Sequence, residues 1–557
     1  MKNTLLALFL ILFFISCKKN DPVNSTPTVP KIFQLQCFNC TAYPSATAYT
    51  TYNGTISVPY SGGNGVNHAE GIAISSTGVS GLSAKLQAAT LNSDTGNLVY
   101  QVSGTPLSSG IATFYISYQG ELCAVSINVL EHAFSQYGTP FAHVPDRQDA
   151  TIYQVNMRVF SQQGNFQGVI NRLDSLKNLG VNVIYLMPIY PLGQINAVNS
   201  PYCVKDYLSV NPEFGTLTNL RELIDGAHTR NMSVILDWVA NHTSWDNVWT
   251  SAHKDWYLQD GAGNILSPPG TGWNDVAQLN FSSKAMRLEM IRSMKYWIYT
   301  ANIDGFRCDY TDGPPIDFWK QAIDSLRKIT THKLLFLAEG NKSTCFNAGF
   351  DYIFGFSFYA RLKTIYNNNQ PVNGIDDVNN SEYVNASNGQ QVVRYLTNHD
   401  VNSSDGTPLD LFGGAKGSMA AFVVAAYMKS VPMIYNGQEV GLPYRLMFPF
   451  TGANIDWTIN PSITAEYKRI IAFRNTSVAI RRGQLTSYGN ADICAFSKQE
   501  GTEKVFVVSN LRNSTLNYIL PSVLANTTCT DAMTGLPVSF NTQITLQAYD
   551  YIVLKMQ

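Results

Sequence analysis

The sequence predicts an α/β protein built on a (β/α)8 barrel, with an N-terminal Ig-like β-sandwich before it and a C-terminal antiparallel β domain after it. Three observations carry this reading. From about Ala150 the chain repeats strand, loop and helix until eight candidate strands have passed. Most of those strands are near-continuous apolar runs, as parallel strands buried on both faces must be. On either side of this region the pattern changes to short alternating runs separated by turn clusters.

Taken in order, residues 1–17 read as a processing signal rather than as part of the fold. Lys2 supplies a positive charge and Leu5 to Ile15 an apolar run, too short for an ordinary membrane-spanning helix. The run closes on Phe14-Ile15-Ser16-Cys17, which resembles a bacterial lipobox, with Cys17 as the lipidated first residue of the mature chain. The alternative is a plain secretory signal with an incidental Cys. Residues 18–31 are polar and Pro-rich, a tether. The expectation is an exported protein, lipid-anchored to a bacterial membrane (the outer membrane by preference) and touching it only through that anchor.

Residues 32–133 alternate in runs such as Leu98-Val99-Tyr100-Gln101-Val102 and Ala112-Thr113-Phe114-Tyr115-Ile116, with turn clusters such as Ser61-Gly62-Gly63-Asn64-Gly65 between them. Short strands with frequent turns predict the sandwich. Cys37, Cys40 and Cys123 fall within it, and one disulfide among them is expected.

The barrel is expected over 140–480, with strands at 152–159, 181–188, 233–237, 303–309, 333–339, 352–355, 392–397 and 431–435. In the first helix Val169, Leu173, Leu176 and Leu179 recur at helical spacing, and Gly180 is a natural stop. Further helices are expected at 217–231, 283–301, 316–329, 415–429 and 465–479. Residues 243–281 are rich in Trp, Gly and Pro without a helical period, a short excursion after the third strand. From 481 to 557 short alternating strands return.

Lys and Arg number 38 against 39 Asp and Glu, so no nucleic-acid footprint is visible and an uncharged partner suits the balance. In a barrel of this kind the chemistry gathers at the C-terminal ends of the strands. Those ends read Asp237 with Asn241 and His242, then Arg307 and Asp309, then Glu339, then His399 and Asp400. One carboxylate at a strand end is ordinarily a helix cap, but a carboxylate at each of these strand ends is more than capping explains. No phosphate loop, nucleophile elbow or His-x3-His spacing is present. Converging carboxylates in an exported, aromatic-rich chain suit glycoside hydrolysis, in which one carboxyl keeps its proton and the other is ionised. Arg307 and Asp309 share a strand face, and the guanidinium is expected to hold Asp309 ionised.

Several short stretches resemble, in order, the signatures of the α-amylase family of glycoside hydrolases (family 13). Asp237-Trp238-Val239-Ala240-Asn241-His242 is similar to D-x-x-x-N-H. Gly305-Phe306-Arg307-Cys308-Asp309 is similar to G-F-R-x-D, and Glu339 closes the fifth strand. Thr397-Asn398-His399-Asp400 is similar to the family's N-H-D. Tyr153-Gln154-Val155-Asn156 and Asp206-Tyr207 through Phe214-Gly215-Thr216 add to the likeness. The resemblance implies that Asp309 is the nucleophile, Glu339 the general acid and base, and Asp400 the stabiliser of the distorted sugar. It also implies a substrate-binding set of Arg307, His242, His399, Tyr202 and Asp237. Within that set Arg307 holds Asp309, Tyr202 stacks on a sugar ring and Asp237 orients its neighbours.

Three departures narrow the expectation. The family's G-Y-W stretch is Pro201-Tyr202-Cys203 here. Tyr310-Thr311-Asp312-Gly313 follows the nucleophile where many relatives carry x-x-Lys-His. The excursion reads Ala277-Gln278-Leu279-Asn280 where P-D-L-N is common. No cofactor is expected to be required, and a structural calcium at Asn241 is left open. The implied activity is retaining cleavage of α-1,4 bonds in starch-like α-glucans or maltooligosaccharides. Neopullulanase or cyclomaltodextrinase-like action, transglycosylation and, from a different class, a non-catalytic glucan-binding protein are the alternatives. Oligomeric state is not legible.

Overall fold

The computed structural model describes residues 29–522 and 524–556. The signal segment, Cys17 and nearly all of the tether therefore lie outside the described residues. The chain divides into two compact units that meet in sequence at His132 and Ala133.

The first unit is built on two main sheets, with a separate two-stranded pair of Asn67–His68 and Ala89–Thr90. In one, Tyr52–Ser61 pairs antiparallel with Thr95–Gly104, which pairs with Leu82–Leu86. In the other, Gly110–Tyr118 pairs antiparallel with Glu121–Leu130. Alternate residues of both sheets (Ile56, Val58, Leu98 and Val102 from one, Phe114, Ile116 and Ile127 from the other) form one buried core, as the period-2 pattern requires. The expected disulfide joins Cys37 to Cys123, and Cys40 stays a free thiol.

The second unit holds a closed barrel of eight parallel strands. They are β1 (Ile152–Val155), β2 (Val183–Leu186), β3 (Ser233–Trp238), β4 (Gly305–Cys308), β5 (Leu335–Ala338), β6 (Tyr352–Phe354), β7 (Gln391–Arg394) and β8 (Val431–Tyr435). Each pairs with the next, and β1 closes on β8 with Ile152 beside Met433. Six of the eight strands are shorter than the apolar runs that announce them. The first run stops at Val155, where Asn156 leads into a helical turn, Met157–Phe160. Gly305 is required where β4 approaches β5: its φ is +143°, and a Cβ there would lie 1.9 Å from the Leu335 carbonyl oxygen.

Most outer helices fall where the apolar spacing puts them. Leu173–Leu179 stops at Gly180 with φ +95°. Leu217–His228 opens with a capping box of Thr216 and Asn219, and Ser283 caps Lys284–Ala301. Two helices between β6 and β7, Phe356–Asn368 and Gly374–Glu382, were not predicted. The second is rich in Asp, Asn and Ser, poor helix formers. It is held from outside: the buried Arg394 of β7 donates from Nη2 to Asn379 Oδ1 at 2.7 Å and to Glu382 Oε2 at 3.1 Å. A tertiary ion pair overrides weak local propensity here.

The excursion after β3 is clipped at its base by an antiparallel pair, His242–Ser244 with Val276–Gln278. After the last barrel helices, Pro461–Thr476 and Val478–Arg482, the chain forms a six-stranded antiparallel sheet between Gln484 and Met556 and a separate two-stranded one.

Candidate active site

Asp237 of β3 and Arg307 of β4 stand on neighbouring strands in direct register. Arg307 is wholly buried and donates from Nη1 to Asp237 Oδ1 at 2.7 Å and to Asp309 Oδ1 at 3.0 Å. Its Nη2 lies 2.6 Å from Glu339 Oε1, an ion pair set off hydrogen-bond alignment. One guanidinium therefore faces three carboxylates from the ends of three successive strands. The loop after Asp309 fixes Glu339 from the other side. Tyr310 adopts φ +41°, uncommon for a bulky residue, and its backbone N–H donates to Glu339 Oε2 at 2.9 Å. Thr311 holds the Glu339 carbonyl through N–H and Oγ1, both at 2.8 Å.

Past β7, Asn398 caps a short helix by accepting from the Asp400 and Val401 N–H groups at 2.9 Å. That turn sets His399 into the floor and leaves the Asp400 side chain 60% exposed to the cleft. His399 accepts at Nδ1 from the Gln154 amide at 2.8 Å, which puts its proton on Nε2, 2.7 Å from Tyr202 Oη. Tyr202 in turn donates to Asp237 Oδ2 at 3.1 Å, and Tyr185 donates to the same oxygen at 2.7 Å. Burial pulls His242 down to about 4 and His399 to about 3, so both imidazoles are neutral above these values.

The sequence expectation that Arg307 keeps Asp309 ionised needs correction. Burial first, and then the Glu339 charge, push the Asp309 carboxyl well above its usual range, while Arg307 opposes them. Asp237 is raised to about 6, again by burial first. With three carboxyls and one cation in low-dielectric surroundings, the free cluster favours holding a proton. A nucleophile and acid pair needs one proton between them.

Asp309, Glu339, Asp400, His242, His399 and Tyr202 all line one cleft of about 560 Å³. Arg307 and Asp237 expose no side-chain surface, so they lie beneath the floor, where the expected parts of holding Asp309 and orienting its neighbours would be played. The Tyr202 ring packs against that of His399 at 5.4 Å and 24°. Residues that sequence reasoning passed over also shape the site: Tyr185, Gln154, Tyr310, Trp273 and Phe448. Gln154 lies inside a quoted motif and Tyr185 inside a predicted strand, so their inward position was the available signal. Trp273 and Phe448 sit on loops and gave none.

The donors around Asn241 do not fit a calcium ion. Gln278 Nε2 donates to the Asn241 carbonyl at 3.0 Å, to Asn241 Oδ1 at 3.3 Å and to the Leu279 carbonyl at 2.9 Å. An amide nitrogen sits among three oxygens where a cation would need them, and calcium sites of this kind take six to eight oxygens, carboxylates included. Among the described residues no three His, Cys, Asp or Glu side chains converge as a metal group.

Residues 137–314 match the family model of the alpha amylase catalytic domain. Over those residues the chain resembles the catalytic domain of the α-amylase family. It is similar to Alpha-amylase 3 of Dictyoglomus thermophilum, 25% identical over 451 residues, which cover 67% of this chain and 87% of that protein. It is also similar to a cyclomaltodextrinase of a Bacillus species, 25% identical over 391 residues, 62% of this chain and 65% of that one. Among solved structures, a noncanonic maltogenic alpha-amylase from Thermotoga neapolitana shares the fold with a TM-score of 0.65 at 23% identity, over 73% of this chain and 99% of that one. An alpha-amylase from Lactobacillus plantarum matches with a TM-score of 0.63 at 25% identity, over 74% and 99%. The protein is thus an α-amylase-type glycosidase, with the eight-stranded barrel of that family between its two β domains.

Proposed function

We propose that this glycosidase cleaves α-1,4-glucosidic bonds of starch-like α-glucans or maltooligosaccharides with net retention, by double displacement. The observation that carries the reading is the sharing of Arg307 by Asp309 and Glu339, with Asp400 exposed in the same cleft. Two oxygens held on the two Nη atoms of one guanidinium suit the short carboxyl spacing of retaining enzymes, roughly 5–5.5 Å.

In the first step Asp309 attacks C1 while Glu339 gives its proton to the departing glycosidic oxygen. In the second, Glu339 takes a proton from water as the water oxygen displaces Asp309 from C1. Arg307 steadies both carboxylates through the charge change, and Asp237 with Tyr185 holds Arg307 in place. Asp400 and the neutral His242 and His399 face the sugar hydroxyls, His399 with its proton on Nε2 and its Nδ1 tied to Gln154. Tyr202 offers its ring face to the sugar while its hydroxyl is tied to His399 and Asp237. No step passes through calcium.

The test is a product profile on amylose, pullulan and cyclodextrin, with the anomer of the new reducing end followed by NMR. Initial release of the β-anomer would overturn retention. A relative named cyclomaltodextrinase and a structural neighbour titled cyclic alpha-maltosyl-(1-->6)-maltose hydrolase favour one alternative, cyclomaltodextrinase or neopullulanase-like action. Cyclodextrin or pullulan cleaved faster than amylose would establish it.

Export and lipid anchoring through Cys17 complete the proposal. Recovery of the full chain in an outer-membrane fraction, and its release into the soluble fraction by Cys17→Ser, is the check.

A further inference from the structure

The two walls of the cleft carry different aromatics. On one, Phe448 is 46% exposed and packs on Phe450 at 5.7 Å, which in turn lies 6.1 Å from His399. On the other, Trp273 is 37% exposed, with its ring 5.0 Å from Tyr310 in an edge-on contact and 5.5 Å from His242. Tyr310 is the residue whose backbone N–H binds Glu339 Oε2. Trp273 is thus tied to the carboxyl that must protonate the leaving group, and the Phe448 wall to His399. A side chain on Glu339's flank faces the sugar that departs with the proton, not the one that stays on Asp309.

The charge on that flank is one-sided. Asp275, Asp309, Asp312, Glu339 and Asp400 line the cleft, and among the described residues no Lys or Arg does. Asp312 is fixed by accepting from the Asn341 N–H at 2.9 Å. Both histidines in the cleft are neutral. A phosphorylated or carboxylated sugar brought here would meet carboxylates with no facing cation, at a Coulombic cost that low local dielectric enlarges. An uncharged ring stacked on an indole meets no such cost.

Resting on the double-displacement reading above, we propose that Trp273, backed by Tyr310, is the platform of the acceptor subsite and that the surrounding carboxylates restrict this subsite to uncharged sugars. The same platform then chooses between water and a sugar in the second step. In transfer, the C1–O bond to Asp309 breaks, an acceptor hydroxyl oxygen bonds to C1, and its proton goes to Glu339.

The test compares maltotriose with α-maltosyl fluoride in wild type, Trp273→Ala and Trp273→Phe. Fluoride leaves from C1 as Asp309 attacks, with no leaving sugar to be held. The expected result is that the ratio of kcat/KM for maltotriose to that for the fluoride falls at least tenfold in Trp273→Ala and less than threefold in Trp273→Phe. An unchanged ratio in Trp273→Ala, both substrates falling together, overturns the subsite. A wild type inert toward the fluoride overturns the double displacement and this subsite with it. With α-maltosyl fluoride as donor, glucose should be maltosylated at least tenfold faster than glucose 6-phosphate at equal concentration. Equal use of the two overturns the charge restriction. A thermal melt of each variant reports whether the fold is kept.

Discussion

At Arg307 a single buried cation faces the carboxylates of Asp237, Asp309 and Glu339, and its removal leaves them without a counter-charge. Losing one partner of a buried charge cluster costs about 3–5 kcal/mol, so Arg307→Met should show that loss in denaturant unfolding as well as a loss of turnover. Arg307→Lys should recover part of the stability and little of the activity, because an ammonium cannot reproduce the planar fork. The two reacting groups behave oppositely. Asp309→Asn and Glu339→Gln each replace a carboxyl of a crowded acidic site with a neutral amide, so the melting temperature should hold or rise. Turnover should fall by about a thousandfold or more, about 4 kcal/mol of barrier. Activity within tenfold of wild type in either variant would show that the roles are misassigned.

At the scale of elements, the clip between His242–Ser244 and Val276–Gln278 supports the excursion that carries Trp273. Its internal tie is the Gln278 amide, bonded to three main-chain and side-chain oxygens. Wild type should therefore show the same melting temperature in calcium and in EDTA. Gln278→Asp puts a carboxylate against the Asn241 oxygens and should make the melting temperature rise with calcium and fall with EDTA, a response absent from the parent. Tyr310 is the second element-scale device: its left-handed backbone turns an N–H onto Glu339. Tyr310→Gly keeps that N–H and relaxes the backbone, whereas Tyr310→Pro removes it, so only the proline variant should displace the pH profile of kcat/KM.

Across the whole molecule, buried titratable groups make stability depend on pH from both directions. Glu439, in the helical turn Gln438–Val440 after β8, is pushed up to about 7 by burial, against the hydrogen bonds it accepts from Tyr153 and the Gly437 N–H. A carboxyl whose folded value lies above its unfolded one of about 4.3 stabilises fully below that value. That contribution is lost as pH climbs through about 7, and it amounts to roughly 4 kcal/mol in all. The loss in unfolding free energy between pH 5 and pH 8 should therefore shrink in Glu439→Gln. His242 and His399 act in reverse. Their folded values of about 4 and about 3 lie below the free value near 6.5, so their stabilisation is present above 6.5 and lost as pH falls through 4 and 3. Equal pH dependence of wild type and Glu439→Gln would remove Glu439 from this account.

The sequence by itself determined the order of strands and placed Asp309, Glu339 and Asp400 at their ends, because parallel strands buried on both faces announce themselves as apolar runs and a barrel puts function at their C-terminal ends. It determined the two flanking β regions by period-2 alternation, and the bridge among three cysteines without its pairing. The helix Gly374–Glu382 was not legible, since a distant Arg394 and not local spacing holds it. Nor was the upward push on the Asp309 carboxyl, because one cation beside one Asp in sequence became one cation among three carboxyls in space. Trp273, Phe448 and the Gln278 tie were decided only by tertiary structure. Loop side chains carry no periodicity to read, and which of them meet depends on how chain segments tens of residues apart close over the same strand ends.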